Sequence, residues 1–294
     1  MNAQEQTYSI CGDLPIYMVG KIGSSRHELL PETKYLLKQA YEISGKPILV
    51  SANPSVADYA KVDLAWSGYP AHVISYNPQY EEVRNYLIAH ECGHLVRIFS
   101  APSRDRRLLT VKSEGQSSVI DSIPEDIHQC LSNGVYPENL YSIINRLYYS
   151  IVSLMANVPA DIHIERCLYE NCPGLLADQW DTLYRGMMDL QTTITRNSRD
   201  SPATLLRKHG TLCYAFAAEL DYIFSRNELA SSVREFADEK QADDLQEILR
   251  GIGDQGHPGD VLTTNEWARY LGIQGWFGWS EWVRYESPFF SAKQ

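Results

Sequence analysis

The stretch that decides the fold is Asn77-Pro78-Gln79-Tyr80-Glu81-Glu82-Val83-Arg84-Asn85-Tyr86-Leu87-Ile88-Ala89-His90-Glu91-Cys92-Gly93-His94-Leu95-Val96-Arg97-Ile98-Phe99-Ser100. Val83, Leu87, His90, His94 and Ile98 recur at intervals of three and four, the period of a helix with one inward face. Pro78 suits a first helical turn, so the pattern predicts a helix over about 78–100. Both histidines stand in line with the apolar stripe. Four residues turn a helix by about 400°, so the two imidazoles differ by about 40° around the axis and can reach one tetrahedral metal from the same side. Glu91 is offset by about 100°, which puts its carboxylate beside such a metal, able to bind the metal's water without ligating the ion. This is the mechanical content of an H-E-x-x-H sequence. With 8 His and 20 Glu in 294 residues, chance supplies roughly 0.015 such matches per chain of this composition. The competing explanation is a hydrogen-bonded pair of core histidines, but the carboxylate between them needs a partner for its charge.

Working outward, Pro31 followed by Glu32–Ser44 reads as a helix with Pro in its first turn, ended by Gly45. Residues 47–52 and 71–77 read as short strands, the second directly before the histidine helix. Residues 101–136 are rich in Ser, Pro, Asp and Arg with a broken apolar pattern. They read as a long loop or lid, within which Glu125, Asp126 and His128 are able to approach the site. From 138 onward the pattern is helical, with helices expected over 138–156, 158–170, 177–197, 202–226, 228–237, 240–251 and 260–271. The tail from Gly272 is dense in aromatics and reads as a segment packed over the helices, with a partner-binding or substrate-facing edge as the alternative.

A catalytic zinc needs a third protein ligand and an open position. The metzincin extension H-E-x-x-H-x-x-G-x-x-H is excluded, since position 97 is Arg97 and position 100 is Ser100. The residues 90–94 resemble instead the gluzincin-like side of the zincin metallopeptidases, in which a later helix supplies E-x-x-x-D. The resemblance covers about residues 45–170. In that group the Glu binds the metal and the Asp orients the first histidine. Here the later segment reads Asn157-Val158-Pro159-Ala160-Asp161-Ile162-His163-Ile164-Glu165. It departs from the pattern at Asn157, where the Glu would stand. Asp161 and Glu165, four apart and on one helix face, restore the geometry with the carboxylates exchanged. Asp161 is thus expected as the third ligand beside His90 and His94, and Glu165 as the group orienting a histidine, with the reverse assignment open. Taken separately, Asp161 also suits a helix start and Glu165 an ion pair with Arg166. His163 and Cys92 are each two residues from a ligand and are expected to face away. Tyr148 and Tyr149 are candidates for an oxyanion donor. Gly93 allows a close helix approach.

The resemblance implies an α+β, predominantly helical fold, with a zincin-like core of small sheet, H-E-x-x-H helix and ligand-bearing second helix. That core is expected over 1–175, including the 101–136 loop or lid, with a helical region over 176–294 packed on it. It further implies a zinc-dependent peptidase: Glu91 as general base, Zn2+ as cofactor, a peptide or protein substrate, and the strand at 71–77 as the sheet edge along which an extended substrate pairs. A non-catalytic, metal-stabilised regulatory or interaction module is the alternative, and a metal-free helical binding protein a third. Net charge is −11 with a pI of about 5.2, without the basic footprint of a nucleic-acid binder. The first residues carry neither a basic nor an apolar leader region, and no apolar run reaches membrane-spanning length. The six cysteines form no C-x-x-C pair and read as buried hydrophobes. A cytoplasmic protein with no membrane or nucleic-acid partner is expected, its oligomeric state open.

Overall fold

The computed structural model describes residues 7–9, 16–19, 28–65 and 69–282. It is α+β and mostly helical. Contacts divide the chain into two units, neither of them a continuous stretch. One comprises residues 1–106, 164–182 and 281–294, the other 107–163 and 183–280. The cut expected at 175/176 therefore falls inside the first.

In the first unit, strands β1 (Thr7–Ser9), β2 (Ile16–Val19), β3 (Ile48–Ala52), β4 (Ala60–Asp63) and β5 (His72–Tyr76) form a sheet in the order β1-β2-β3-β5-β4. The pairs β2–β3 and β3–β5 are parallel, while β1 and β4 run antiparallel to their neighbours. Alternation of burial along β3 sets Ile48 and Val50 into the core, as expected when one sheet face is covered. Helices α1 (Pro31–Ser44) and α2 (Arg84–Ser100) pack against each other, and α2 also meets β4 and β5. Pro31 opens α1, and Gly45 closes it in the left-handed conformation, the usual asymmetry of helix ends. The segment Pro78–Val83 is a 3-10 turn rather than part of the α-helix, with Tyr80 outside helical dihedrals. The expectation that 71–77 forms a sheet edge is corrected here. Strand β5 lies between β3 and β4, so its backbone groups are paired on both sides, and β4 is the outer strand nearest α2.

The second unit carries β6 (Arg107–Val111), α3 (Ser113–Ser122), α4 (Pro124–Ser132), most of α5 (Pro137–Asn171), the later part of α6 (Leu176–Asn197), then α7 (Ala203–Phe224), α8 (Glu228–Val233), α9 (Glu239–Ile252), α10 (His257–Leu271) and β7 (Phe277–Glu281), which pairs with β6. Residues 101–136 are thus not a loop or lid. The Pro and acidic residues that look like loop composition are helix-start chemistry: Pro124 begins α4 with Glu125 and Asp126 in its first turn, where the helix dipole favours them. Val119, Ile123 and Cys130 are buried, and Asp126 accepts a hydrogen bond from the Thr204 N–H at the start of α7.

The two helices expected over 138–156 and 158–170 are one helix of 35 residues with Pro159 inside it. Proline removes the N–H that would have bonded the carbonyl four residues back. That carbonyl belongs to Met155, and it accepts instead from the buried Thr264 hydroxyl at 2.9 Å. The bond stands in for the missing one and lets the helix run on. Of the aromatic tail, Trp276, Phe277 and Trp282 are buried, and residues 283–294 lie outside the described residues. No helix among the described residues is long and apolar enough to cross a membrane.

Candidate metal centre

Helix α2 is buried along most of its length, from Arg84 through Ala89 and at Glu91, Cys92, Leu95 and Phe99. His90 and His94 sit half-buried on it. Their Nε2 atoms lie 3.2 Å apart. Zinc–imidazole bonds of about 2.0–2.1 Å in a tetrahedron put two nitrogens about 3.3 Å apart, so the pair already stands at the spacing of two ligands of one small cation. Asp161, on α5, joins them: His90, His94 and Asp161 offer ligand atoms that all lie within 4.8 Å of one another, the one such group among the described residues. Two imidazoles and one carboxylate are a donor set that suits a tetrahedral divalent ion and leaves a fourth position open.

Glu165, one helical turn beyond Asp161, is completely buried. Its Oε1 lies 2.7 Å from His90 Nδ1. The same oxygen accepts the Tyr86 hydroxyl at 2.7 Å, and Oε2 accepts Gln179 Nε2 at 2.6 Å. Donors converging on both oxygens are the pattern of an acceptor-only carboxylate. His90 Nδ1 therefore carries the hydrogen, and Nε2 turns a bare lone pair toward His94, which is the tautomer a metal requires.

The approach of α5 to α2 rests on Gly93. A methyl group there would sit 2.6 Å from Ile164 Cγ2, so any larger residue forces a shift of Ile164, which immediately precedes Glu165. Glu91 is buried next to His90. Cys92 is fully buried, its thiol pushed up by burial and then by the charge of Glu91. It stays outside the ligand group, as does His163, whose Nδ1 lies 3.9 Å from Asp254. Asn157 is exposed and bonds Ser153. Glu125, Asp126 and His128 lie on α4 and are not in the group. Of the oxyanion candidates, Tyr148 is fully buried and donates to the Trp276 carbonyl at 2.7 Å. That removes it from the role. Tyr149 is exposed and accepts from Gln116.

Sequence reasoning missed Tyr86 and Gln179. Tyr86 carried a signal, since it precedes His90 by one turn on the same face. Gln179 carried none, because nothing in its own segment marks it.

No protein family, curated protein or solved structure matches this chain.

Proposed function

We propose that the chain is a zinc-dependent hydrolase with a zincin-like core, acting on peptide bonds. The observation that carries the reading is the 3.2 Å separation of the two Nε2 atoms on an H-E-x-x-H helix with Asp161 beside them. In this reading His90, His94 and Asp161 hold the ion. When bound, zinc supplies a Lewis acid and a water whose pKa falls to about 7. Glu91 takes the proton of the attacking water and hands it to the departing amine. Glu165 keeps His90 in the ligating tautomer. Among the described residues β4 is an outer strand, and its outer edge is where an extended peptide would add as a further strand. The two carboxylates of α5 exchange the roles they have in the gluzincin pattern, the shorter Asp161 ligating and the longer Glu165 orienting.

The test is metal content together with cleavage of a mixed peptide library read by mass spectrometry. Wild type is expected to hold one zinc per chain and to cut. Glu91→Gln is expected to keep the zinc and to lose cleavage by a factor on the order of 10²–10⁴, the worth of a general base. Stoichiometric zinc with no cleavage in either form points to the metal-stabilised binding module instead. A chain purified without chelators that neither carries nor takes up zinc removes both readings.

A further inference from the structure

We infer that Gln179 and Tyr86 are positioning residues for the metal centre: they fix the Glu165 carboxylate, and through it which nitrogen His90 presents to the ion. This rests on the metal reading above and adds a third tier to it, running from Gln179 and Tyr86 through Glu165 to His90.

Gln179 is completely buried. Its Nε2 donates twice to the same residue, to Glu165 Oε2 at 2.6 Å and to the Glu165 carbonyl at 2.9 Å. Its own Oε1 is buried and has no partner among the described residues. The amide cannot turn over to satisfy that oxygen, because Oε1 would then face a carboxylate that only accepts. An orphan acceptor in the interior works against folding, so packing alone does not account for an amide at this position. An amide held at such a position is explained by what its other end does, which is to grip Glu165 by backbone and side chain together. Tyr86 holds the other oxygen. It lies one turn before His90 on α2, the two rings 6.1 Å apart and inclined at 61°, and its hydroxyl shares Glu165 Oε1 with His90 Nδ1. With Oε1 and Oε2 each anchored, the carboxylate has no freedom to rotate away. Remove one anchor and His90 gains the freedom to turn or to move its hydrogen to Nε2, where it blocks the ion.

Partners of this kind behind a ligating histidine are worth 10–100-fold in metal affinity. The experiment uses the full chain and measures zinc affinity by competition with a chromophoric chelator, with Co2+ absorption as a reporter of ligand geometry. Tyr86→Phe and Gln179→Leu are each expected to weaken zinc 10–100-fold and to alter the Co2+ bands. The deciding measurement repeats both changes in a Glu165→Gln background. If the two residues act through Glu165, they cost little further there, because coupled positions are not additive. Single variants that bind zinc as tightly as wild type overturn the inference, and so do losses that add in full to that of Glu165→Gln. A merely structural role would lower the melting temperature of the metal-free chain without this non-additivity. Should Gln179→Leu fail to fold, Tyr86→Phe, which removes one hydroxyl, carries the same test. Wild type that binds no zinc at all overturns the metal reading itself, so the two failures are separable.

Discussion

His90 on α2 and His209 on α7 each have two polar partners, and the two rings are put to opposite uses. On α2, His90 meets a buried carboxylate through Nδ1 and a second histidine through Nε2. On α7, His209 meets Ser150 Oγ through Nε2 at 2.8 Å and lies 3.7 Å from Cys213 Sγ through Nδ1. Neither partner of His209 carries charge, burial pushes the Cys213 thiol up to about 12, and desolvation holds His209 itself down to about 4. The difference lies in the partners rather than in the histidines. A carboxylate fixes the hydrogen on the inner nitrogen and leaves the outer one free for a cation. A hydroxyl and a thiol satisfy a neutral ring and nothing more.

The largest expected effect separates the two regions outright. Asp161→Asn keeps the shape of the side chain but weakens the ligand, and zinc affinity is expected to fall at least about a thousand-fold, beyond the 10–100-fold of an outer partner. His209→Gln, at a more deeply buried residue, is expected to leave zinc affinity within about twofold. Equilibrium dialysis against a metal buffer measures both. Equal losses in the two variants would mean that the centre responds to general destabilisation and not to its own ligands.

A second effect tests whether His72 and His209, both outside the metal group, are core groups held neutral. His72 is fully buried on β5, its Nδ1 accepts the Ala65 N–H at 2.9 Å, and its ring stands edge-on to Phe99. Desolvation first, and Lys46 second, lower its pKa to about 4, close to the value for His209. Both folded values lie below the unfolded value of about 6.5, so between pH 6.5 and 4 the unfolded chain binds protons that the folded chain refuses. Stability is therefore complete above about pH 6.5, falls as pH drops toward 4, and levels off below that. Two and a half units correspond to at most about 3 kcal/mol for each residue. Urea unfolding with the metal removed, at intervals from pH 7.5 to 4, measures the slope. Replacing His209 by Gln is expected to flatten it by nearly half, and an unchanged slope would show that His209 is not a source of it.

What the sequence revealed follows the range of the interactions involved. The α2 stripe and the spacing of Asp161 and Glu165 are local, written at intervals of four, and the positions of all four polar groups could be read from them. The outer strand β4 was not legible, because Ala60–Asp63 becomes a strand only by pairing with Val73–Tyr76. Pro159 read as a break because the Thr264 hydroxyl that replaces its missing donor lies 109 residues away from Met155. The start of α4 at Pro124 read as loop because helix-start residues and loop residues are the same residues. Gln179 joins the centre from the next helix, and only the folded chain puts its amide against Glu165.

The smallest effect divides two glycines, Gly93 next to His94 and Gly210 next to His209. A methyl group on Gly210 would lie 2.6 Å from the Phe236 carbonyl carbon and against its oxygen, both of them backbone. A main chain cannot step aside without moving its whole segment, so Gly210→Ala is expected to cost about 1–3 kcal/mol, read by urea unfolding, and to leave the metal affinity unchanged. A methyl group on Gly93 meets only the side chain of Ile164, at 2.6 Å and 3.0 Å from Cγ2 and Cγ1. Both atoms hang from the Cβ of Ile164, whose χ1 is stiff in a helix, so relief comes from a small movement of Ile164 rather than a new rotamer, while alanine recovers about 0.5–1 kcal/mol of helix propensity over glycine. The two terms nearly offset each other, and the net change in stability is expected to be about 1 kcal/mol or less. What cannot be offset is position, because Ile164 sits between Asp161 and Glu165, and any shift of α5 that relieves the clash draws both acids away from the histidines. Gly93→Ala is therefore expected to weaken zinc several-fold while barely moving the urea midpoint of the metal-free chain. A Gly93→Ala chain that is strongly destabilised yet binds zinc normally would show that the close approach serves the core and not the centre.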